Sequence, residues 1–274
     1  MTRIIFTDLD GTLLDRKSYS WNAAAPALKW LNEHEVPWLL VSSKTRAEVE
    51  YWGQVLGNRH PFSVENGSAI CVPRNYFDEL IPGSIQRGGY DTIERGSSYA
   101  AAVRALSVAA QASGCRVRGF HEMTAEEVAA ASQLPLDLAV LAKKREYDEP
   151  FEALDPERVA ELEAAIRTQG LRCIRGGRFH HICGDHDKAD SVRQLSNLFG
   201  RTCNEVVTVG LGDGFNDVPL LRAVDVPVIV RSRDAAAMLR SVPNAFVTDH
   251  EGPRGWNAAI LDIFRNHDSA VAAV

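Results

Sequence analysis

Short apolar runs alternate with helical segments at both ends of this 274-residue chain, and that alternation restricts the fold more than any other feature. Arg3 to Thr7 reads as a buried strand, Asn22 to Glu33 as a helix, Val36 to Val41 as a second strand, and Arg46 to Leu56 as a helix closed by Gly57. The rhythm returns after residue 188. A helix is expected from Ala189 to Phe199, a strand EVVTVGL from Glu205, a helix around Asn216 to Ala223, a strand VPVIV from Val226 and a last helix near Trp256 to Phe264. Continuous apolar strands joined by helices belong to a parallel sheet covered on both faces, because only burial on both sides tolerates them. The two ends together predict an α/β, doubly wound (Rossmann-like) core, with function at the carboxyl ends of its strands.

Between these ends the texture changes. IPGSIQRGGY from Ile81 reads as a Gly-rich linker, followed by an alanine-rich helix from Tyr99 to Ala112. Thr124 and Glu127 form a capping-box pattern ahead of another helix. Leu171 to Ile174 and Phe179 to Cys183 read as a hairpin around Gly176-Gly177. The expected organisation is a core of residues 1–83 and 188–274 with an inserted α+β cap over 84–187.

Composition narrows the function. A net charge of -6 supplies no basic stripe for a nucleic-acid backbone. No run reaches the length of a membrane span. Five scattered cysteines, Cys71, Cys115, Cys173, Cys183 and Cys203, form no CxxC pair and fit a reducing cytoplasm rather than a disulfide framework. Neither a nucleic-acid nor a membrane partner is expected; oligomeric state is not read from the chain.

Two acidic motifs follow buried strands. FTDLDGTLLD places Asp8 and Asp10 just past the first, with Gly11 and Thr12 behind them. The two carboxylates point the same way unless the strand ends between them. VGLGDGFND supplies Asp213 and Asp217, set at i and i+4 as on one helix face. Like charges this close need a cation or a shared proton. If the two strands are neighbours, the four carboxylates make an oxygen-rich site suited to Mg2+. Taken singly, a DxD pair is more usually a turn or a solvated cap, and Asp213 alone could be a helix N-cap.

DLDGT, a Ser ending the second strand, a Lys ahead of a helix and GDGFND, in this order, resemble the four motifs of the haloacid-dehalogenase-type phosphatases, and the insert is similar to their type-two caps. The resemblance implies Asp8 as nucleophile, forming an aspartyl-phosphate, and Asp10 as general acid and base. It implies Mg2+ held by Asp8, the Asp10 carbonyl, Asp213 and Asp217. In LLVSSKT it favours Ser43 over Ser42 as the phosphate donor, and it makes Lys188 the cation beside nucleophile and phosphate.

RGGRFHHICGDHDK, from Arg175 to Lys188, concentrates three histidines and a cysteine. On a strand, His181 and Cys183 share one face and His180 takes the other, so the segment alone offers no compact four-ligand zinc set. A half-buried hairpin with Asp185 and Asp187 as caps accounts for it more simply. The segment also resembles the stretch joining cap to core in mannosyl-3-phosphoglycerate phosphatases, as do SSKTRAEVE, REYDEPF from Arg145 and EGPRGWN from Glu251, so the likeness spans nearly the whole chain. It implies a phosphorylated sugar-glycerate substrate. Arg145 and Arg178 are candidates for its carboxylate, and Glu146, Glu149 and His180 for sugar hydroxyls. Asn66 in ENGS either faces the pocket or makes a plain hairpin turn. Trp256 reads as a core anchor rather than a sugar platform.

The glucosyl ester differs in one hydroxyl and stays open as the substrate, as do other sugar phosphates. From other classes, an aspartyl-phosphate signalling module and a non-catalytic sugar-binding protein are the competitors. Asp10, poised to hydrolyse the intermediate, speaks against the first, and the filled catalytic positions against the second.

Overall fold

A computed structural model describes residues 2–271 apart from Gly177 and Asn204. Its strands in chain order are β1 (Thr2–Thr7), β2 (Trp38–Leu40), β3 (Phe62–Val64), β4 (Ala69–Pro73), β5 (Ile85–Arg87), β6 (Tyr90–Glu94), β7 (Val117–Gly119), β8 (Glu149–Ala153), β9 (Arg172–Arg175), β10 (His180–Cys183), β11 (Val206–Gly212), β12 (Val226–Arg231) and β13 (Phe246–Glu251). The chain divides into two compact units, 1–41 with 192–274, and 42–191.

The first unit holds a five-stranded parallel sheet in the order β13-β12-β11-β1-β2. The chain moves outward from β1 to β2, returns to β11 on the other side of β1, and continues outward to β12 and β13. The order therefore reverses between β1 and β11, the point at which open α/β sheets bind ligands. Both faces are covered. Trp256, on the helix Gly252–Val271, donates from Nε1 to Thr7 Oγ1 at 3.0 Å, while Leu220 and Val224 crowd Gly210. Thr7 pairs in register with Leu211, so Thr7 and Gly210 lie on opposite faces. Ile4, Ile5 and Phe6 of β1 are consequently fully buried, as expected for a parallel strand. Trp256 is itself completely buried and anchors its helix.

The second unit contains two antiparallel sheets, β3-β4-β6-β5 and β7-β8-β10-β9. The helices Tyr99–Ser113 and Val159–Arg167 bury Ala102, Leu106, Leu162 and Ile166 in one cluster with Phe151 of β8 and Ile182 of β10. The segment read as a linker is a hairpin: Arg87 pairs with Tyr90, leaving Gly88 and Gly89 as a two-residue turn, with Gly88 at φ +59. Its β6 partner is β4, so one sheet spans residues on either side of position 83.

Capping signals held well. Gly57 ends the helix Arg46–Leu56 at φ 69, and Thr124 with Glu127 forms the full capping box. The hairpin of β9 and β10 also forms, one residue later in each strand than expected at its start; Gly177 lies outside the described residues. The helix expected over Asn216 to Ala223 is instead a 3-10 turn, Phe215–Asp217, followed by the short helix Val218–Arg222.

Burial holds three histidines of the second unit in the neutral form: His181 is pushed down to about 3, and His60 and His186 to about 4. For His181 burial outweighs the opposing pull of Glu65 and Glu149. The unfolded chain takes up these protons near the ordinary value of about 6.5. The folded state therefore keeps its full stability above that pH and loses it as the pH falls from about 6.5 towards 4. Thermal melts between pH 8 and 5 should show this loss, and His60→Gln, which keeps a polar partner for Tyr76, should make the slope shallower.

Candidate active site

In the first unit, β1 ends at Thr7, so both Asp8 and Asp10 lie past the strand rather than on it. The Asp8 amide still donates to the Leu211 carbonyl at 3.0 Å, which ties it to the end of β11. Thr7 Oγ1 donates to the Asp8 carbonyl at 2.8 Å while accepting from Trp256, so the backbone under Asp8 is held from the helix side as well. A turn follows, in which the Thr12 and Leu14 amides both donate to the Leu9 carbonyl. Gly11 sits in it at φ +81, and a Cβ there would run into the Asp213 carboxylate and Arg16. Only glycine allows this close approach.

The second pair of carboxylates meets by a different route from the helix face expected. Asp217 Oδ2 accepts from the amides of Asp213 and Gly214, both at 3.0 Å, so its carboxylate caps the 3-10 turn from within. Asp213 Oδ1 accepts from Thr12 Oγ1 at 3.0 Å, and Oδ2 from the Arg16 guanidinium. Oxygens of Asp8, Asp213 and Asp217 all lie within 4.8 Å of one another, and all three residues are buried. Asp10 is less buried than these three. Burial pushes the Asp213 carboxyl up to about 6, with Asp217 adding to the rise and Arg16 and Thr12 opposing it. The motif DLDGT pointed to Thr12, but Arg16 carries no signal in the sequence beyond its charge.

The second unit gathers the other core-motif residues around a buried ionic network. Glu65 accepts three backbone amides, those of Glu146 at 2.9 Å, Tyr147 at 2.9 Å and Asp148 at 2.8 Å. Its carboxylate also lies 3.5 Å from Arg145 Nε. Burial raises its pKa, while Arg145 and the amides pull it back down. Arg145 pairs with Asp148 through Nη2, and the same nitrogen donates to the Ser43 carbonyl at 3.1 Å. Asp148 Oδ2 in turn accepts from Asn66 Nδ2 at 3.2 Å and meets His181 Nδ1 at 3.1 Å. Ser42 is buried, its Oγ accepting from the Lys44 amide at 3.2 Å, whereas Ser43 is only partly buried.

The turn carrying Asn66 also fixes the segment before Lys188. Glu65–Gly67 is a 3-10 turn closing the β3-β4 hairpin, with Glu65 at φ 48 and Asn66 at φ 59. A Cβ on Gly67, at φ +97, would strike the Asp187 carbonyl. Ser68 Oγ meets His186 Nε2 at 2.7 Å, and Ser63 Oγ meets Ser191 Oγ at 2.7 Å. Lys188 emerges from this bracket only 1% exposed.

The residues expected to contact substrate each have partners within the protein. Arg145 has a side chain only 3% exposed and is engaged by Glu65 and Asp148, so it positions Ser43 instead of presenting a free fork to a carboxylate. Arg178 donates to Gln133 at 2.8 Å in an exposed setting. Glu146 pairs with Arg46 at 2.8 Å and Arg87 at 3.4 Å. Glu149 meets His121 Nδ1 at 2.7 Å, and His180 stacks on Phe151. Glu65, Asp148 and His121 were missed because long-range pairing leaves no local spacing to read.

No family model matches the chain. It is 40% identical to the glucosyl-3-phosphoglycerate/mannosyl-3-phosphoglycerate phosphatase of Methanococcoides burtonii, over 98% of this chain and all of that one. Identity is 36% to the protein of the same name from Persephonella marina, over 95% and 96% of the two chains. It is also 36% to the mannosyl-3-phosphoglycerate phosphatase of Pyrococcus furiosus, over 84% and 91%. The fold is shared with a sugar phosphatase of HAD subclass IIB at a TM-score of 0.67, 16% identity and 96% and 99% coverage. It is shared too with the sucrose-phosphatase of Synechocystis at a TM-score of 0.61, 13% identity and 95% and 98% coverage.

Removing one partner of a buried ion pair leaves the other charge uncompensated, at a cost of about 3–5 kcal/mol. Arg145→Met should therefore lower the urea-unfolding free energy by that order. Combining it with Asp148→Leu should recover part of the loss, since no lone charge then remains buried at position 148.

Proposed function

The chain belongs to the glucosyl-3-phosphoglycerate/mannosyl-3-phosphoglycerate phosphatases of the haloacid-dehalogenase superfamily, and on that footing we propose that it hydrolyses mannosyl-3-phosphoglycerate to mannosylglycerate and inorganic phosphate. The glucosyl ester is the alternative substrate. The observation that carries the reading is the convergence of Asp8, Asp213 and Asp217 at the ends of two neighbouring parallel strands. The proposal includes a cytoplasmic location, with five cysteines all in the free thiol form; no helix among the described residues is long and apolar enough to cross a membrane.

The donor set fits a hard divalent cation, because three buried carboxylates this close need positive charge and offer only oxygen. Asp8, the Asp10 carbonyl, Asp213 and Asp217 would hold Mg2+, which when bound neutralises phosphate charge and lets an anionic nucleophile approach. Thr12 and the capped Asp213-Gly214 turn keep two of these carboxylates aimed.

In the proposed reaction, an Asp8 oxygen attacks phosphorus and the bond from phosphorus to the glycerate oxygen breaks. Asp10 gives its proton to that leaving oxygen. Asp10 then takes a proton from water, whose oxygen attacks the aspartyl-phosphate, releasing phosphate and restoring Asp8. Ser43 is the proposed phosphate donor, an assignment supported by its partial exposure beside the buried Ser42. Lys188 is the proposed cation beside phosphate. Residues 84–187 are the proposed substrate-selecting cap, and His121, a third exposed and oriented by buried Glu149, is a route by which that carboxylate would influence a sugar hydroxyl.

Phosphate release from the mannosyl and glucosyl esters should proceed over many turnovers with Mg2+, stop on chelation, and return when Mg2+ is restored. Asp8→Asn should lower kcat/KM by about a thousandfold or more, as loss of a nucleophile does elsewhere. A chain that takes up one phosphate and keeps it would instead be a signalling module; release only from other sugar phosphates would preserve the mechanism and remove the substrate.

A further inference from the structure

The hairpin of β9 and β10 carries a group of side chains that the proposed phosphatase chemistry does not use. Cys173 and His180 occupy one face of it, since Cys173 is opposite Ile182 and His180 opposite Arg175, placing both two residues apart on the same side. Glu163 reaches them from the helix Val159–Arg167, which packs on β9. One ligand atom of each residue, thiol, imidazole and carboxylate, lies within 4.8 Å of the other two. We propose that Glu163, Cys173 and His180 form a binding site for a borderline-soft divalent metal, Zn2+ in the first place, that clamps this helix to the hairpin.

The distances favour it. Bonds of about 2.3 Å to sulfur and about 2.05 Å to nitrogen at a tetrahedral angle put the two ligand atoms about 3.6 Å apart. Cys173 Sγ and His180 Nδ1 are 3.8 Å apart without any rearrangement. His180 is held by stacking on Phe151, with ring centroids 5.6 Å apart and planes 25° apart, so little ring freedom is lost on binding. Glu163 needs only to close from its present range, and its ionic partner Arg167, at 3.9 Å, is 64% exposed and holds it weakly.

The electrostatics agree. A thiolate, a carboxylate and a neutral imidazole balance a divalent cation, and all three residues are half-buried, leaving a fourth position for water. Burial and the Glu163 charge push the Cys173 thiol up to about 12, and burial also lowers the His180 pKa. The thiol is thus unreactive by itself, and a metal that deprotonates it releases one proton. The donor set separates this site from the oxygen-only carboxylates of the first unit, which select hard cations.

The test is a Co2+ titration of the metal-free full chain in saturating Mg2+, read by the thiolate-to-cobalt charge-transfer band. One equivalent should produce the band, and Zn2+ should bleach it. Cys173→Ser should abolish it, and His180→Gln and Glu163→Gln should each weaken Co2+ binding at least about tenfold. Zn2+ should raise the melting temperature of the wild type and leave that of Cys173→Ser unchanged. No band at one equivalent, a band that survives in Cys173→Ser, or wild-type affinity in Glu163→Gln would overturn the proposal. Should Cys173→Ser fail to fold, the half-exposed His180→Gln variant decides between the same two outcomes.

Discussion

Mutual repulsion of buried carboxylates is the constraint to which the first unit is built. Asp8, Asp213 and Asp217 are each at most 5% exposed, and their oxygens lie within 4.8 Å. Such a group is costly unless its charge is met, and the chain meets it with several weak devices rather than one strong one. Asp217 is met by two amides, Asp213 by the Thr12 hydroxyl and the Arg16 guanidinium, and the glycine at position 11 removes the Cβ that would keep them apart. Burial nevertheless lifts Asp213 to about 6, so the compensation is incomplete and a divalent cation has free energy to gain by binding. The sheet order matters for the same reason, since only at the reversal between β1 and β11 do two strand ends open side by side without a crossing connection above them.

The second unit solves the opposite problem, that of holding polar backbone still inside a largely apolar body. Glu65 does this by accepting three successive amides from the loop before β8, which would otherwise be buried donors without acceptors. Arg145 leaves that loop and reaches both Asp148 and the Ser43 carbonyl, so the Ser42–Lys44 segment and the β8 approach form one hydrogen-bonded body. A bound arginine of this kind is a poor ligand for a substrate carboxylate and a good strut. The left-handed residues Glu65 and Asn66 carry strain that this network sustains.

What could be read in the sequence follows from the range of the interactions involved. The parallel strands, the caps at Thr124 and Gly57 and the acid motifs were legible because each depends on residues within a few positions. The hairpin at Gly88-Gly89 read as a linker because β5 and β6 are short, β5 is largely exposed, and neither shows an alternation that would reveal it. β13 escaped for a related reason: FVTDHE is polar and mostly exposed, and it is a strand because β12 pairs with it at the sheet edge. Where the side chains of REYDEPF and RGGRFHH go could not be read locally, because neighbours along each segment are sent to different partners. Glu146 goes to Arg46, a hundred residues away, and Glu149 to His121.

The histidine-rich hairpin shows how one strand can serve two unrelated ends. His181 faces inward and meets Asp148 through Nδ1, where burial keeps it neutral and makes it part of the strut under Ser43. His180, one residue away, takes the other face and meets Cys173 diagonally across the hairpin and Glu163 from a helix. Scanning RGGRFHHICGDHDK by itself for four ligands could not find this set, because two of its three members lie outside that segment. The period-two geometry that rules out a metal within the strand is the same geometry that presents His180 to ligands arriving from elsewhere. A strand that alternates between a buried ionic network and a half-buried thiol cannot slip by one residue without destroying both, so each face holds the register on which the other depends.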